Sequence, residues 1–534
     1  MISVSFLILA IIAGATAIAN LFAEYSRVLM MMQQNSYRSE RYMRWLRSSG
    51  DTTSLPKIFG MISLFASLAS WSNHILGLIF IGVFATASAI YLFSRKYKKP
   101  VVWTPRVRRI FGVMTIISLI IIGGVYIAGH FTNGYNDGIF YAVVASMALY
   151  STSHIAILAA IRILSPVENK INRRYYNEAA NILSSMPNLK VIGITGSYGK
   201  TSTKHYLYRI LCEEYETLMT PGSYNTTLGV IRTIREMMKP YCEVFICEMG
   251  AKQTGDIKEI SDLVHPQIGI VTAVGPQHLE SFKTLENVQA TKFELVDALP
   301  SNGLAIINED FQAIASRKVD NVECIRYGVA NENASYRAID VKYSITGSDF
   351  KVVGPDINEQ FHTPLLGECN VSNLVAAIVC AIKLGVSISK IRQAVERIEP
   401  VEHRLSVKRT ANGITILDDA FNSNPSGSSM ALDVLAMMNT GQRIIITPGM
   451  IELGDEQYEL NRQFGKKIAQ AADMAIIVGE YNREAIIDGI KSVNDTKIEV
   501  IETASFTEAQ QRMLGIAQKG DVVLYENDLP DTFK

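Results

Sequence analysis

Long apolar segments near the beginning of the chain limit its possible folds more than any other feature. Residues 1–22, 110–131 and 139–164 are each long and apolar enough for a helix that crosses the hydrocarbon core of a bilayer. Residues 58–93 are too many for one such helix, and the polar sequence WSNH at 71–74 divides them into a hairpin whose first helix is short. The sequence therefore predicts a transmembrane α-helical bundle over residues 1–164, with about five helices or, as the alternative, four.

Basic residues predict the orientation of this bundle, because Lys and Arg accumulate on the cytoplasmic side of a membrane. Two of the connecting segments are strongly basic, whereas the short links at 71–74 and 132–138 contain neither Lys nor Arg. The basic side chains are Arg27, Arg38, Arg41, Arg44, Arg47, Lys57, Arg95, Lys96, Lys98, Lys99, Arg106, Arg108 and Arg109. If there are five spans, the N-terminus is expected outside the cell. The bundle then lies in the cell membrane, and all residues after 164 are expected on its cytoplasmic side.

Net charge and cysteine pattern bear on whether the chain binds nucleic acid or zinc and on the redox state of its cysteines. The chain has 51 basic and 51 acidic residues, so its zero net charge gives no indication of a nucleic-acid partner. Its six cysteines form neither a C-x-x-C pair nor a Cys/His cluster with the spacing of a zinc site. Reduced cysteines in a cytosolic compartment are the expected state.

The remainder of the chain has the pattern of a soluble α/β protein. A polar connecting helix is expected over 165–189, beginning at Pro166, because proline suits the first helical position. Short apolar runs at 191–195, 244–247, 268–272 and 304–307 alternate with helical patterns, and 336–353 reads as a β-hairpin. A second such series has runs at 414–417, 444–447, 475–478 and 522–525. We predict a central α/β P-loop domain with a parallel sheet over 190–400 and a Rossmann-like α/β domain over 401–534.

The sequence GSYGKT at 196–201, between a strand and a helix, is the sharpest local signal in the chain. Glycines let the backbone turn tightly so that amide groups face a phosphate, and the helix N-terminus adds a favourable dipole. Lys200 would contact the β- and γ-phosphates, and the Thr201 hydroxyl would bind Mg²⁺. The strict phosphate-loop pattern requires glycine at position 194, where this chain has Ile194.

This loop, read with its neighbours as GITGSYGKTS at 193–202, resembles the phosphate loop of the Mur ligases, most closely the MurF type. The resemblance extends over about residues 190–525. Many motifs in the order and at the spacing of the family identify it more specifically than any single motif does. The further motifs are YNTTLG at 224–229, CEMG at 247–250, HLE at 278–280, TKFE at 291–294, NED at 308–310, HRL at 403–405, DDAFNSNP at 418–425 and GMIELG at 449–454.

The resemblance implies an ATP-dependent ligase that activates a carboxylate as an acyl phosphate and joins it to an amine or amino acid. It implies the catalytic residues Lys200, Glu248, His278 and Lys292, and two Mg²⁺ ions held by Thr201, Glu248, His278 and Lys292. Lys292 is similar to the family lysine that reacts with CO₂ to form a carbamate. Without the resemblance, His278 would be taken for a structural histidine and Lys292 for a solvated helix residue.

The resemblance also implies a nucleotide site for ATP. Its expected residues are Gly196, Ser197, Gly199, Lys200, Thr201, Ser202, Asn308, Asn370, Asn373, Arg404, Asp419 and Asn422. Asn308, Asn370 and Asn373 resemble residues around the adenine, Arg404 an arginine on the phosphates, and Asp419 an acid near the ribose. Taken alone, Asp418-Asp419 would be a turn or a helix cap, which aspartate often forms.

Three departures from the family bear on the substrates. Membrane spans occupy the place of the domain that holds the UDP-sugar, and Glu526-Asn527-Asp528 stands where MurF-type enzymes have Lys-Gly-Ser. Cys369 replaces a usual histidine beside Asn370. We therefore hypothesise a membrane-associated acceptor, such as a lipid-linked glycan that carries a carboxylate, because the basic loops could attract anionic headgroups of membrane lipid. The loops could equally serve only to set topology.

Two alternatives remain open at this point. The chain could be an anchored MurF-type ligase that adds a dipeptide to UDP-MurNAc-tripeptide in cell-wall biogenesis. It could also be a transport or signalling protein with a Mur-derived ATPase domain. Retention of Lys200, Glu248, His278 and Lys292 favours an enzyme.

Overall fold

The computed structural model describes residues 4–70, 72–95, 97, 99–277, 279–421, 423–494 and 496–528. Within them the chain divides into two compact units, Met1–Asn172 and Arg173–Asp528. The first unit is helical, and the second contains both β-sheets.

The helices of the first unit are mostly apolar. In chain order they are α1 (Val4–Gln34), α2 (Ser39–Ser48), α3 (Leu55–Ala69), α4 (His74–Ser94), α5 (Pro105–Asn133), α6 (Tyr135–Ser151) and α7 (Ser153–Ser184), whose residues from Arg173 onward belong to the second unit. By length and composition, α1, α4 and α5 could each cross a membrane, and the bent pair α6 and α7 brings the number to four if it counts as one span. The expected hairpin is present, with its break between Ala69 and His74, and Trp71 lies outside the described residues. Its first helix, α3, has 15 residues, fewer than the roughly 20 needed for a span, so the five spans expected from the sequence are not all met.

The last expected span, residues 139–164, is not one straight helix. It bends by 78° between α6 and α7, at Thr152. The hydroxyls of Ser151 and Thr152 donate to the carbonyls of Met147 and Ala148, which competes with the helical ladder. The Lys57 ammonium donates to the Tyr150 carbonyl at 2.7 Å, near the end of α6. The sequence pattern missed this break because apolar residues continue on both sides of it.

The connecting helix expected over 165–189 is also different. It is the second half of α7, which runs without interruption from Ser153 to Ser184, and Pro166 lies inside the helix rather than at its start. The preference of proline for the first helical position placed the expected helix start too late in the chain.

Buried ion pairs hold the first unit together. Both oxygens of Glu24 accept from Arg27, and one of them lies 2.9 Å from the Lys57 ammonium. Ser153 donates to Glu24 at 2.8 Å, and Arg27 also pairs with Asp51. Because Glu24, Arg27 and Lys57 are all buried, these contacts connect α1, α3 and the α6–α7 bend inside an apolar bundle.

The second unit begins with a nine-stranded sheet. In chain order its elements are β1 (Lys190–Thr195), α8 (Lys200–Leu211), β2 (Thr217–Met219), α9 (Thr227–Met237), β3 (Val244–Glu248), α10 (Asp256–Val264), β4 (Ile268–Val271), α11 (Leu279–Phe282), α12 (Leu285–Asp297), β5 (Leu304–Asn308), α13 (Gln312–Ala315), β6 (Glu323–Gly328), β7 (Tyr336–Ser344), β8 (Gly347–Gly354), β9 (Ile357–Thr363), α14 (Glu368–Lys383) and α15 (Ile388–Glu396).

The order of this sheet is β2-β3-β1-β4-β5-β6-β7-β8-β9, parallel from β2 to β7 and antiparallel from β7 to β9. The predicted hairpin over 336–353 is therefore confirmed as β7 and β8. Side chains of β1 alternate between two cores: Ile192 and Ile194 pack with α8 and α14, and Val191 packs with α9, α10 and α12. A central strand buried on both faces needs this continuous apolar run.

The C-terminal part has a six-stranded sheet. Its elements are β10 (Ser406–Arg409), β11 (Thr415–Asp419), α16 (Pro425–Met437), β12 (Arg443–Thr447), α17 (Gln457–Ala471), β13 (Met474–Val478), α18 (Arg483–Lys491), β14 (Glu499–Thr503), α19 (Phe506–Ile516) and β15 (Val522–Glu526). The strand order is β10-β11-β15-β12-β13-β14, and only β10 is antiparallel. The predicted α/β class, with parallel sheets in both parts, is confirmed. In such sheets, ligands bind beyond the carboxyl ends of the strands.

Candidate active site

The loop between β1 and α8 has the geometry of a phosphate-binding loop. Gly196 and Gly199 adopt φ values of 152° and 77°, and α8 begins directly afterwards at Lys200. A Cβ atom on Gly196 would lie 2.2 Å from the Thr272 hydroxyl, and one on Gly199 would lie 2.3 Å from the Asn373 amide oxygen. Only glycine fits both positions, so the turn brings the backbone to the N-terminus of an α-helix, where anions bind.

The Lys200 side chain folds back over this loop. Its ammonium donates to the carbonyls of Gly196 at 2.7 Å and Ser197 at 3.1 Å. Burial lowers the pKa of Lys200 from 10.5 to about 8, with Glu248 opposing the shift and Arg404 adding to it. Lys200 is therefore a poorly solvated cation that would gain from a phosphate partner.

Glu248 ends β3 and lies next to β1, because Ile194 and Glu248 are register partners in the sheet. One carboxylate oxygen accepts from the Thr201 hydroxyl at 3.2 Å and from the Asn225 amide at 3.0 Å. The other accepts from the Lys204 ammonium at 2.9 Å. Burial raises the pKa of Glu248, but Lys204 and Lys200 outweigh it and hold the net pKa below its usual value. The group is an anion at neutral pH.

Thr201 and Glu248 together offer the hard oxygen ligands that Mg²⁺ prefers. The described part of the chain contains no group of three or more His, Cys, Asp or Glu side chains arranged to hold a metal. A magnesium site here would therefore be completed by ligand oxygens rather than by protein alone, which is the usual arrangement for Mg²⁺ with nucleotides. His278, expected as a further ligand, lies outside the described residues.

Lys292 is on α12, and its side chain is 2 % exposed. Burial lowers the pKa of Lys292 well below 10.5, and the positive charge of Lys200 lowers it further. The ammonium nitrogen lies 5.9 Å from the centre of the Phe282 ring. A lysine in these surroundings gives up its proton more readily than a solvated lysine does, and the neutral amine is the form that can react with CO₂.

A polar cleft of about 830 Å³, part of it open to solvent, lies beside the phosphate loop and is lined from both sheets of the second unit. Seven of the residues expected at a nucleotide line it: Gly199, Ser202, Asn308, Asn370, Asn373, Arg404 and Asp419. Gly196, Ser197, Lys200 and Thr201 are not among its lining residues, and neither are Glu248 and Lys292. The charge of Lys200 nevertheless shifts the pKa of both Glu248 and Lys292, so these three side chains form one electrostatic group next to the cleft.

The three asparagines of the cleft also hold its walls together. Asn308 donates to the Thr272 carbonyl and the Ser372 hydroxyl, at 2.9 and 3.0 Å. The amide oxygens of Asn370 and Asn373 accept from Tyr206 and Thr203 of α8, at 2.8 and 3.1 Å. These bonds join α8 to α14 directly behind the phosphate loop.

On the C-terminal side, the Arg404 guanidinium lies 4.4 Å from the centre of the Phe421 ring. Asp419, at the end of β11, accepts from the Leu405 backbone at 3.0 Å and is the register partner of Glu526 at the end of β15. Burial raises the pKa of Asp419 to about 6 against the influence of Arg404, and burial together with Asp419 raises the pKa of Glu526 well above 4.5. Asn422 lies outside the described residues.

The sequence analysis gave no role at the site to three side chains of this region. They are Lys204, Asn225 and Glu526, the last as the neighbour of Asp419. Lys204 stands about one turn after Lys200 in α8, and the residues on its side of the helix, Leu207 and Leu211, are buried. A lysine within a buried helical face was the available signal, because such a charge needs a partner. Asn225 stands in the motif YNTTLG at 224–229, which gave it no specific role, and nothing local indicated that Glu526 would lie beside Asp419 on a distant strand.

Comparison with known proteins agrees with this geometry. A family model described as the Mur ligase middle domain matches residues 194–381, and one described as the Mur ligase glutamate ligase domain matches residues 403–525. The chain is 29% identical to the UDP-N-acetylmuramoyl-tripeptide–D-alanyl-D-alanine ligase of Escherichia coli, over 66% of this chain and 78% of that one. It is 26% identical to the Bacillus subtilis protein of the same name, over 63% and 72%.

Solved structures are similar as well. MurF from Acinetobacter baumannii superimposes with a TM-score of 0.61 at 25% identity, over 68% of this chain and 78% of that one. MurF from Thermotoga maritima, solved in complex with ADP, has a TM-score of 0.60 at 23% identity, over 67% and 80%. The likeness to the second structure concerns the fold alone.

Proposed function

Since the chain belongs to the Mur ligase family through its middle and C-terminal domains, we propose that it activates a carboxylate with ATP and joins the product to an amine. The carboxylate attacks the γ-phosphorus, which gives an acyl phosphate and releases ADP. The amine then attacks the acyl carbon, and phosphate and a proton leave as the amide forms. The observation that supports this best is the contact between Thr201 and Glu248 at the start of α8, directly beside Lys200.

Each residue of this group has a role in the proposal. Lys200 leaves the carbonyls of its own loop and neutralises charge on the transferred phosphoryl group. Thr201 and Glu248 hold Mg²⁺, whose charge would lower the barrier to attack on the phosphate. Lys292, as its carbamate, would hold a second ion together with His278, the roles that the family resemblance implies for them. The site thus works by positioning and charge stabilisation rather than by a covalent step with the protein.

The nucleotide base and ribose occupy the polar cleft in this proposal. Asn308, Asn370 and Asn373 would lie around the adenine, and Asp419 beside the ribose. Arg404 would reach the phosphates, with its guanidinium held over Phe421. An acyl phosphate hydrolyses in water, so the walls of the cleft, formed from two domains, also serve to exclude solvent.

We further propose that the protein is anchored in the cell membrane, with its second unit in the cytoplasm, and that its acceptor is a membrane-associated carboxylate. Support comes from the first unit, in which α1, α4 and α5 are long and apolar enough to cross a bilayer. The matches to the E. coli and B. subtilis ligases cover 78% and 72% of those proteins, and the middle-domain match begins only at residue 194. A helical unit therefore precedes the catalytic domains here.

A second candidate is the reaction named for the relatives, in which D-alanyl-D-alanine is added to UDP-N-acetylmuramoyl-tripeptide. The observation in its favour is that both the E. coli and the B. subtilis relative carry this name and align over both catalytic domains. The sequence Glu526-Asn527-Asp528, which begins at the last residue of β15, weakens the case for that dipeptide, because a buried carboxyl replaces a cation there.

Phosphate release from ATP by the purified full chain, with a panel of amines and of UDP-linked and lipid-linked carboxylates, tests these proposals. We expect phosphate release only when an amine and a carboxylate are both present, and its loss in Lys200→Met. Turnover of a lipid-linked acceptor supports the membrane proposal, whereas turnover of the UDP-linked tripeptide alone supports the second candidate. ATP hydrolysis that neither substrate stimulates would contradict a ligase and favour a transport or signalling ATPase.

A further inference from the structure

A second lysine of α8 makes the most enclosed ionic contact of the catalytic domains. Lys204 follows Lys200 by one helical turn, and its side chain is 0 % exposed. Its ammonium lies 2.9 Å from one oxygen of Glu248, which is itself 1 % exposed. The same ammonium donates to the carbonyl of Gly222 at 2.6 Å.

The two oxygens of Glu248 therefore have different partners. One faces the Thr201 hydroxyl and the Asn225 amide, on the side of the phosphate loop. The other faces Lys204. A carboxylate rotates easily about its terminal bond, and the Lys204 contact selects the orientation that presents one oxygen to Thr201.

The bond to Gly222 extends this restraint to a second segment. Gly222 and Asn225 belong to the same loop, between β2 and α9. The Lys204 ammonium donates to the backbone of this loop, and the Asn225 side chain of the same loop donates to Glu248. Lys204, Gly222, Asn225 and Glu248 thus close a ring of polar contacts beside the phosphate loop.

Stability alone is a poor explanation for this ion pair. Moving two charges out of water costs several kcal/mol for each ion, and a buried pair often stabilises a protein no more than apolar residues of the same volume would. Within the described part of the chain, the hydrogen bonds of Lys200, on the same helix, go to the carbonyls of its own loop. The two lysines consequently have separate tasks, since Lys200 can turn to a phosphate while Lys204 is fully engaged.

We propose that Lys204 is a positioning residue that holds Glu248 in the orientation required for the metal that accompanies the nucleotide. This inference rests on the proposed function, because it concerns the Mg²⁺ site assigned there to Thr201 and Glu248. Lys204 touches neither metal nor substrate and acts through the carboxylate. Partners of metal ligands typically contribute about 10- to 100-fold to metal affinity.

ADP binding measured by calorimetry on the full chain in detergent, over a range of Mg²⁺ concentrations, tests the proposal without relying on turnover. Lys204→Met is expected to raise the Mg²⁺ concentration at half effect by about 10- to 100-fold, while ADP affinity without Mg²⁺ stays as in the wild type. Lys390→Met is the matched control, because Lys390 forms an exposed ion pair with Glu214 at 2.7 Å. It should leave both quantities unchanged.

Lys204→Met alone leaves the buried Glu248 carboxylate without its cation, which can prevent folding. The double variant Lys204→Met with Glu248→Gln removes both charges and then still tests the proposal. Its Mg²⁺ response should equal that of Glu248→Gln alone, since Lys204 acts only through Glu248. A double variant with a weaker Mg²⁺ response than Glu248→Gln alone would overturn the proposal, as would an unchanged Mg²⁺ response in Lys204→Met. If ADP binding by the wild type is indifferent to Mg²⁺, the proposed function falls, and the inference with it.

Discussion

The ammonium of Lys200 lies 2.7 Å from the carbonyl oxygen of Gly196, at the opposite end of the same loop. Burial lowers its pKa to about 8, and among the described residues Glu248 acts to raise that pKa and Arg404 to lower it. A cation that is held by neutral carbonyls and kept from solvent is readily drawn to a phosphate. This relationship leads to the first prediction.

ADP affinity should fall as pH rises through about 8, the pKa of Lys200. The protonated side chain is the form that attracts phosphate, so affinity is greatest below that pH and is lost above it. At pH 9 we expect affinity about tenfold below its plateau, since one pH unit corresponds to about 1.4 kcal/mol. Calorimetric titration of ADP between pH 6.5 and 9.5 measures this, and Lys200→Met should bind weakly with no such decline. The same profile in both proteins would contradict the assignment of Lys200.

The phosphate loop should not tolerate a side chain at Gly199. With φ at 77°, alanine there is strained by about 1–2 kcal/mol, and its Cβ would meet the Asn373 amide 2.3 Å away. Gly199→Ala should therefore lower both the free energy of unfolding and, by at least about tenfold, ADP affinity, because Asn373 lines the cleft.

Gly515→Ala is the control for this substitution. Gly515 lies in α19 with open space around it, so alanine should raise helix stability by up to about 1 kcal/mol and leave ADP affinity as it was. If Gly199→Ala binds ADP as well as the wild type does, the loop does not approach the nucleotide.

Lys292 should take up CO₂. Because burial lowers the pKa of Lys292 and so favours its neutral amine, we expect ¹³CO₂ to give a carbamate signal in the NMR spectrum of the wild type and none in Lys292→Met. The uptake should weaken as pH falls, since protonation of Lys292 removes the nucleophile. An identical signal in both proteins would place the carbamate on another amine.

In the first unit, Glu24→Gln should be strongly destabilising. The substitution removes the negative charge that Arg27 and Lys57 share inside the bundle, and unpairing a buried ion costs about 3–5 kcal/mol. Thermal unfolding in detergent, followed by circular dichroism, measures the effect. Lys258→Gln, which breaks an exposed pair with Asp262, should change stability by less than about 0.5 kcal/mol. Equal effects of the two substitutions would mean that the buried network contributes nothing.

Sequence reasoning was most successful where structure is local. The phosphate loop, the strand before it and the helix after it occupy consecutive residues, and glycine positions and apolar runs predicted all three. It was least successful at the ends of elements. Pro166 suggested a helix start and lies within α7, and the break at Thr152 depends on contacts with Lys57, which is distant in the chain.

The sequence by itself determined the apolar helices, the α/β alternation and the phosphate loop, because each depends on neighbouring residues and on the period of a helix or strand. Tertiary structure decided which of the distant side chains meet. The order β10-β11-β15-β12 brings Glu526 beside Asp419, and the adjacency of β1 and β3 brings Glu248 to Lys204. Sequence spacing does not specify the order of the strands. That order is specified by how each sheet is buried between its helices.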